Sequence, residues 1–177
     1  MVAVTLPPRT LADGRVRLGL LPTIADPASP TVAELEAAID LSCRVMKSDF
    51  RASPVASETI SGMNALCETS NASAPGQSNY EVSLTIFRWF DPADPGKMDA
   101  LGDAAYQALK IKGTHCYFVK RESGKDYSEP FAAGDEIEVY EVVTDNPQSP
   151  TDLGGYIRRT IPTFVQNAWV NASVKTV

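Results

Sequence analysis

The chain has 177 residues, 44% of them hydrophobic, and a formal net charge of −6. That length suits one domain with a sizeable core, and the acidic balance argues against a tight, non-specific binder of DNA or RNA. Three cysteines at wide spacings, Cys43, Cys67 and Cys116, give no disulfide framework and read as reduced, half-buried thiols. No apolar run approaches the roughly 20 residues needed to cross a bilayer, and Met1 to Thr10 lacks the basic start and apolar run of a secretory signal.

Residues 1–10, with Pro7 and Pro8, read as an extended N-terminal arm, and residues 11–177 as a single domain. Arg15 to Leu21 predicts the first strand, with Val16, Leu18 and Leu20 on one face. A proline-rich turn follows to Pro30. Thr31 then stands three residues before Glu34, the spacing of a capping box, and opens about two helical turns. Ile39, Leu41 and Cys43 alternate with Asp40, Ser42 and Arg44, so the period changes from helix to strand. Lys47 to Pro54 is polar. Short strand-like pieces surround Thr59-Ile60 and Ala65-Leu66-Cys67, and residues 69–79 form a polar surface loop, long enough to be a contact element.

Tyr80 to Phe90 alternates clearly and stops at Asp91-Pro92. Asp99 to Leu109 carries Leu101, Ala105 and Leu109 at four-residue steps and predicts a second helix, ended by Gly113. Thr114 to Arg121 is a strand. Ala132 to Asp135 is a turn launching the strand Glu136 to Thr144, and Tyr156 to Asn171 is one long extended stretch. Pro162 inside that stretch belongs at an edge or bulge. Seven or eight strands and two short helices predict a mainly β chain, a β-sandwich or open barrel with the helices packed at one end.

Catalytic patterns are sparse. The single histidine, His115, and its neighbour Cys116 take opposite faces of a strand and cannot share a metal ion. There is no phosphate loop and no nucleophile elbow. Asp91, Asp94 and Asp99 cluster around a turn, where solvated turn carboxylates are the simpler explanation than a cation site. The residues therefore indicate no catalytic group, no cofactor and no metal.

Several segments in order resemble the major tail (tail tube) proteins of long-tailed, siphovirus-type bacteriophages, especially those of actinobacteria. The carriers are Pro30-Thr31-Val32-Ala33-Glu34-Leu35 running into Ile39-Asp40-Leu41, then Ala65-Leu66-Cys67-Glu68 and Ala74-Pro75-Gly76 before the Tyr80 strand and its Asp91-Pro92 stop. Leu109-Lys110-Ile111-Lys112-Gly113-Thr114, Phe131-Ala132-Ala133-Gly134-Asp135-Glu136 and the Tyr156 to Asn171 stretch continue the resemblance from about Leu11 to Val174. Pro162 departs from an uninterrupted final strand.

The resemblance implies a structural virion protein of the tail, assembled in the host cytoplasm. Its protomers would join into hexameric rings that stack into a tube. Its partners would be other copies of itself, the tape measure and other tail proteins, with no membrane, and genomic DNA would pass through without tight binding. Six copies would carry a charge of about −36, which repels DNA. Glu136, Glu138, Glu81 and Glu58 are the candidate lumen-facing acids. The N-terminal arm and the 69–79 loop are the candidate ring-to-ring contacts. The competing readings are a tail terminator or head-tail connector ring, and a ligand-binding β-sandwich that would use exposed aromatics among Trp89, Phe90, Trp169, Tyr127 and Tyr140.

Overall fold

The computed structural model describes residues 5–176; the first four residues of the expected N-terminal arm and the final Val177 lie outside the described residues. Thr5 to Thr10 are exposed and without regular structure.

The elements are β1 (Val16–Leu21), α1 (Val32–Glu36), β2 (Ile39–Asp40), β3 (Arg51–Val55), β4 (Thr59–Ser61), β5 (Ser73–Pro75), β6 (Asn79–Phe87), α2 (Ala104–Leu109), β7 (His115–Glu122), β8 (Glu136–Thr144) and β9 (Arg158–Ser173). Seven strands form one antiparallel sheet in the order β2-β1-β7-β8-β9-β6-β3, and β4 pairs with β5 separately. The chain is mainly β, as its alternating segments predict, and the sheet is not closed into a barrel.

The sheet curls strongly. In a flat sheet β7 and β3 would lie four strand spacings apart, roughly 19 Å. Yet the buried Lys120 of β7 donates from Nζ to the Ala52 carbonyl of β3 at 3.0 Å. Inside the curl, Leu18 and Leu20 of β1, Phe118 of β7, Tyr140 and Val142 of β8, Ile161 of β9 and Leu84 and Ile86 of β6 make one core with Leu109 of α2. The alternate residues, Leu21, Val119, Ile137 and Val139, make a second core on the opposite face with Leu35 of α1 and Phe131. The two helices thus cover opposite faces of the sheet and do not share one end, because strand alternation supplies an apolar stripe on both sides.

α1 begins as its spacing predicts. Thr31 Oγ1 accepts the Glu34 amide at 3.2 Å, and Glu34 accepts the Thr31 amide at 2.9 Å. The following strand is only two residues long. Leu41 still donates its amide to Leu18 at 2.8 Å, but the chain then crosses to β6, where Met46 donates to Thr85 and Phe87 donates to Arg44. Leu41 is buried and Cys43 exposed. β3 is a strand where the composition reads as polar. It lies at the sheet edge, and only Ala52 is buried, so it carries little apolar signal.

α2 is shorter than the predicted Asp99–Leu109. Residues 100–103 form turns instead, with Asp99 accepting the Gly102 amide, and Gly102 lies against Trp89, where a Cβ would sit 2.5 Å from Trp89 Cγ. Ala65-Leu66-Cys67 lies at a turn, not in a strand.

Pro162 sits where β9 changes partner. Arg158–Pro162 pairs with β6, and Thr163–Ser173 pairs with β8. The Pro162 carbonyl accepts the Asp145 amide at 2.9 Å. A strand residue's N and C=O point to the same side, so the missing N–H lies on the Asp145 side and costs the β6 ladder nothing.

Candidate assembly surface

Two features of the surface follow from the strand pairing. The first is an open sheet edge. Phe164–Ala172 of β9 has β8 on one side, and among the described residues no strand pairs with it on the other. β6 pairs with β9 only from Ser83 onward, so the two strands part beyond Pro162. An open edge of this length is a template for another strand. Among the described residues the outer edge of β3 also has no strand partner, and it carries Pro54, a residue edge strands tolerate.

The second feature is a projecting arm. β3 and β6 pair from Arg51↔Ser83 to Val55↔Asn79, and the same hairpin continues through Thr59↔Pro75 to Ser61↔Ser73. Every residue from Ala56 to Pro75 is exposed. The predicted 69–79 loop is thus the returning half of this arm, with β5 inside it. β5 escapes sequence reading because Ser73-Ala74-Pro75 has no apolar alternation.

The candidate acidic residues occupy different surroundings. Glu136, at the start of β8, and Glu58, at the base of the arm, are exposed. Glu81 on β6 is exposed and pairs with Arg51 of β3 at 2.9 Å. Glu138 is half-buried. It takes the Lys120 ammonium at 2.9 Å and the Tyr140 hydroxyl, on the inner face of the curl. Burial first, then the bond to Glu138, push the Tyr140 phenol well above its ordinary value.

The other groups weighed from the sequence serve the fold. His115 Nε2 lies 2.7 Å from Glu141 on the exposed face, while Cys116 is buried behind it, and burial pushes that thiol up to about 12. Cys43 and Cys67 are exposed, not half-buried, because one lies on the crossing to β6 and the other at the arm tip. Asp91 accepts the Ala93 amide, Asp94 pairs with Lys97, and Asp99 accepts the Gly102 amide, so each holds its own turn. Tyr140 is buried. Trp89 and Phe90 lie beyond β6, which ends at Phe87.

One cluster was not anticipated. The fully buried Asp103 carboxylate accepts Arg88 Nε at 2.7 Å and Nη2 at 3.0 Å, the Trp89 amide at 3.1 Å and Gln107 Nε2 at 2.7 Å. Arg88 stacks 3.8 Å above the Tyr106 ring. Burial raises the Asp103 pKa, but the bonds from Arg88, Gln107 and Trp89 outweigh it and hold the carboxyl below its ordinary value. This knot fixes the segment between β6 and α2.

The sequence model of the phage tail tube protein family matches residues 4–176. The chain belongs to the phage tail tube protein family. It is therefore a structural component of the virion tail, a class that assembles with itself and with other tail proteins. No curated protein matches the chain. Among solved structures, a chain of the 6-fold symmetrised cryo-EM structure of the anti-feeding prophage (AFP) baseplate is 14% identical, with a TM-score of 0.46, covering 93% of this chain and 95% of that one. Among the described residues, no helix is long and apolar enough to cross a membrane.

The open β9 edge was not legible in the sequence, because it depends on which neighbour each half of β9 takes. Pro162, at the switch, was its one signal.

Proposed function

We propose that this tail tube protein forms the tube of a long-tailed, siphovirus-type phage of the actinobacterial kind. Its protomers join into hexameric rings in the host cytoplasm, around or beside the tape measure protein, and the rings stack into a conduit for genomic DNA. The open edge of β9 carries this reading, supported by family membership. A neighbour's strand laid along Phe164–Ala172 satisfies those backbone groups, and a head-to-tail contact repeated around an axis closes a ring.

The Ala56–Pro75 arm, together with the N-terminal arm of residues 1–10, makes the contacts between rings. Residues 11–177 act as a single tube-forming domain. The lumen is negative, with Glu136, Glu58, Glu81 and Glu138 contributing, so that DNA slides without sticking. Glu138 contributes least, because Lys120 neutralises it.

Hydrogen exchange tests the assembly. The arm and the Phe164–Ala172 amides gain protection on polymerisation; equal protection in free protomer and polymer contradicts the scheme. For the lumen, Glu136→Lys with Glu58→Lys reverses two exposed carboxylates that pair with no cation among the described residues. Tubes still form, and DNA ejection slows or stops. Normal ejection removes these residues from the inner wall. Single rings that never stack would return the terminator reading.

A further inference from the structure

The tip of the arm is apolar and uncovered. Met63 is 87% exposed and Leu66 is 109% exposed, and among the described residues the strands of the arm pair only with each other. No Lys or Arg occurs between Arg51 and Arg88, and the arm carries Glu58 and Glu68. Elsewhere, where the chain leaves β1 to cross to β6, a cavity of about 290 Å³ opens at the surface. Val16, Leu18, Val45 and Phe50 wall it, and Cys43 and Lys47 are among its exposed lining residues. Lys47 also pairs with Asp13 on the same rim.

We propose that this cavity is the socket for the arm tip of a second copy of the chain. Leu66 enters between Val16, Val45 and Phe50 with Met63 beside it, and Glu68 faces Lys47. The volumes agree. An apolar cavity of roughly 150 Å³ takes a benzene-sized group, so this one holds two side chains of leucine and methionine size. The charges bear on it as well: an arm with carboxylates and no cation meets a rim whose Lys47 ammonium is exposed, so Glu68 would share it with Asp13. The assignment rests on the tube reading and supplies its ring-to-ring contact with an address.

Two exposed cysteines make the test direct. In a Leu66→Cys/Cys67→Ser protein the tip thiol should meet native Cys43 of another copy. Diamide joins the two thiols as a disulfide and is itself reduced to the hydrazine by the two hydrogens they release. Cys116 is buried and does not compete.

Each chain then has one tip thiol and one socket thiol. Polymerised protein should therefore give a ladder of linked chains on a non-reducing gel, and Cys43→Ser should abolish it. Linked dimers alone, a ladder surviving Cys43→Ser, or polymer without links would overturn the assignment. Leu66→Asp, at a fully exposed position, should leave the melting temperature of the free protomer unchanged and raise the concentration needed for polymerisation at least tenfold. Unchanged polymerisation would also overturn it. Tubes lacking the link defeat the socket alone, whereas an unmodified chain that never polymerises defeats the tube reading and the socket together.

Discussion

Replacing Asp103 with alanine should be among the most damaging single changes to the free protomer. The carboxylate is fully buried, and its main partner, Arg88, has a side chain only 13% exposed. Asp103→Ala leaves that guanidinium half-paired, with the Tyr106 ring on one side and no anion on the other. It also strips an acceptor from the Trp89 amide and from Gln107. Breaking a buried ion pair by removing one partner costs about 3–5 kcal/mol. At about 2–4 °C per kcal/mol for a chain of this size, the melting temperature should fall by roughly 10 °C.

Thermal and urea unfolding at pH 7 measure the loss. A double-mutant cycle with Arg88→Met separates the pair from its surroundings. The double variant should be less damaged than the sum of the two single changes, because each single change strands a charge and the double variant strands none. A loss below about 1 kcal/mol for Asp103→Ala, or strict additivity in the cycle, would refute the reasoning.

Three further outcomes follow from named contacts. Gly102→Ala places a Cβ 2.5 Å from Trp89 Cγ and should cost about 1–3 kcal/mol in urea unfolding. Thr31→Ala removes the acceptor for the Glu34 amide and should cost about 0.5–2 kcal/mol, read as a fall in melting temperature. Asp103 and Asp135 have folded pKa values held below the ordinary carboxylate value, so their stabilisation is full above the unfolded pKa, about 4, and is lost as pH falls through the folded values. Stability should therefore drop below about pH 4, and Asp103→Ala should flatten that drop; an equally steep fall in the variant would contradict the assignment to this carboxylate.

Elements with local signals were legible in the sequence. Thr31 and Glu34 announce α1 because both halves of a capping box lie within four residues. β8 matches its prediction to the residue, because Ile137, Val139, Tyr140 and Val142 bury and the Gly134 turn, at φ 86°, precedes it. What depends on distant partners was not legible. β3 shows no alternation because its outer edge has no strand neighbour. The segment from Leu41 to Met46 leaves the pattern because it trades β1 for β6. Gly102 packs against Trp89, a contact that depends on where β6 ends, in the turn that precedes the shortened α2. Of the candidate acids, strand parity correctly groups Glu136 with Glu138. It does not foresee that Lys120 stands across from Glu138, a consequence of the β7–β8 register.

The central claim is that copies of this chain complete one another's open sheet edges. Electron microscopy of the purified full chain, concentrated or seeded with a tail initiator complex, tests it most directly. Long hollow cylinders of stacked rings, with continuous β-sheet passing from each β9 edge into the neighbouring subunit, are the predicted result. Discrete monomers at every concentration, seeded or not, would contradict it.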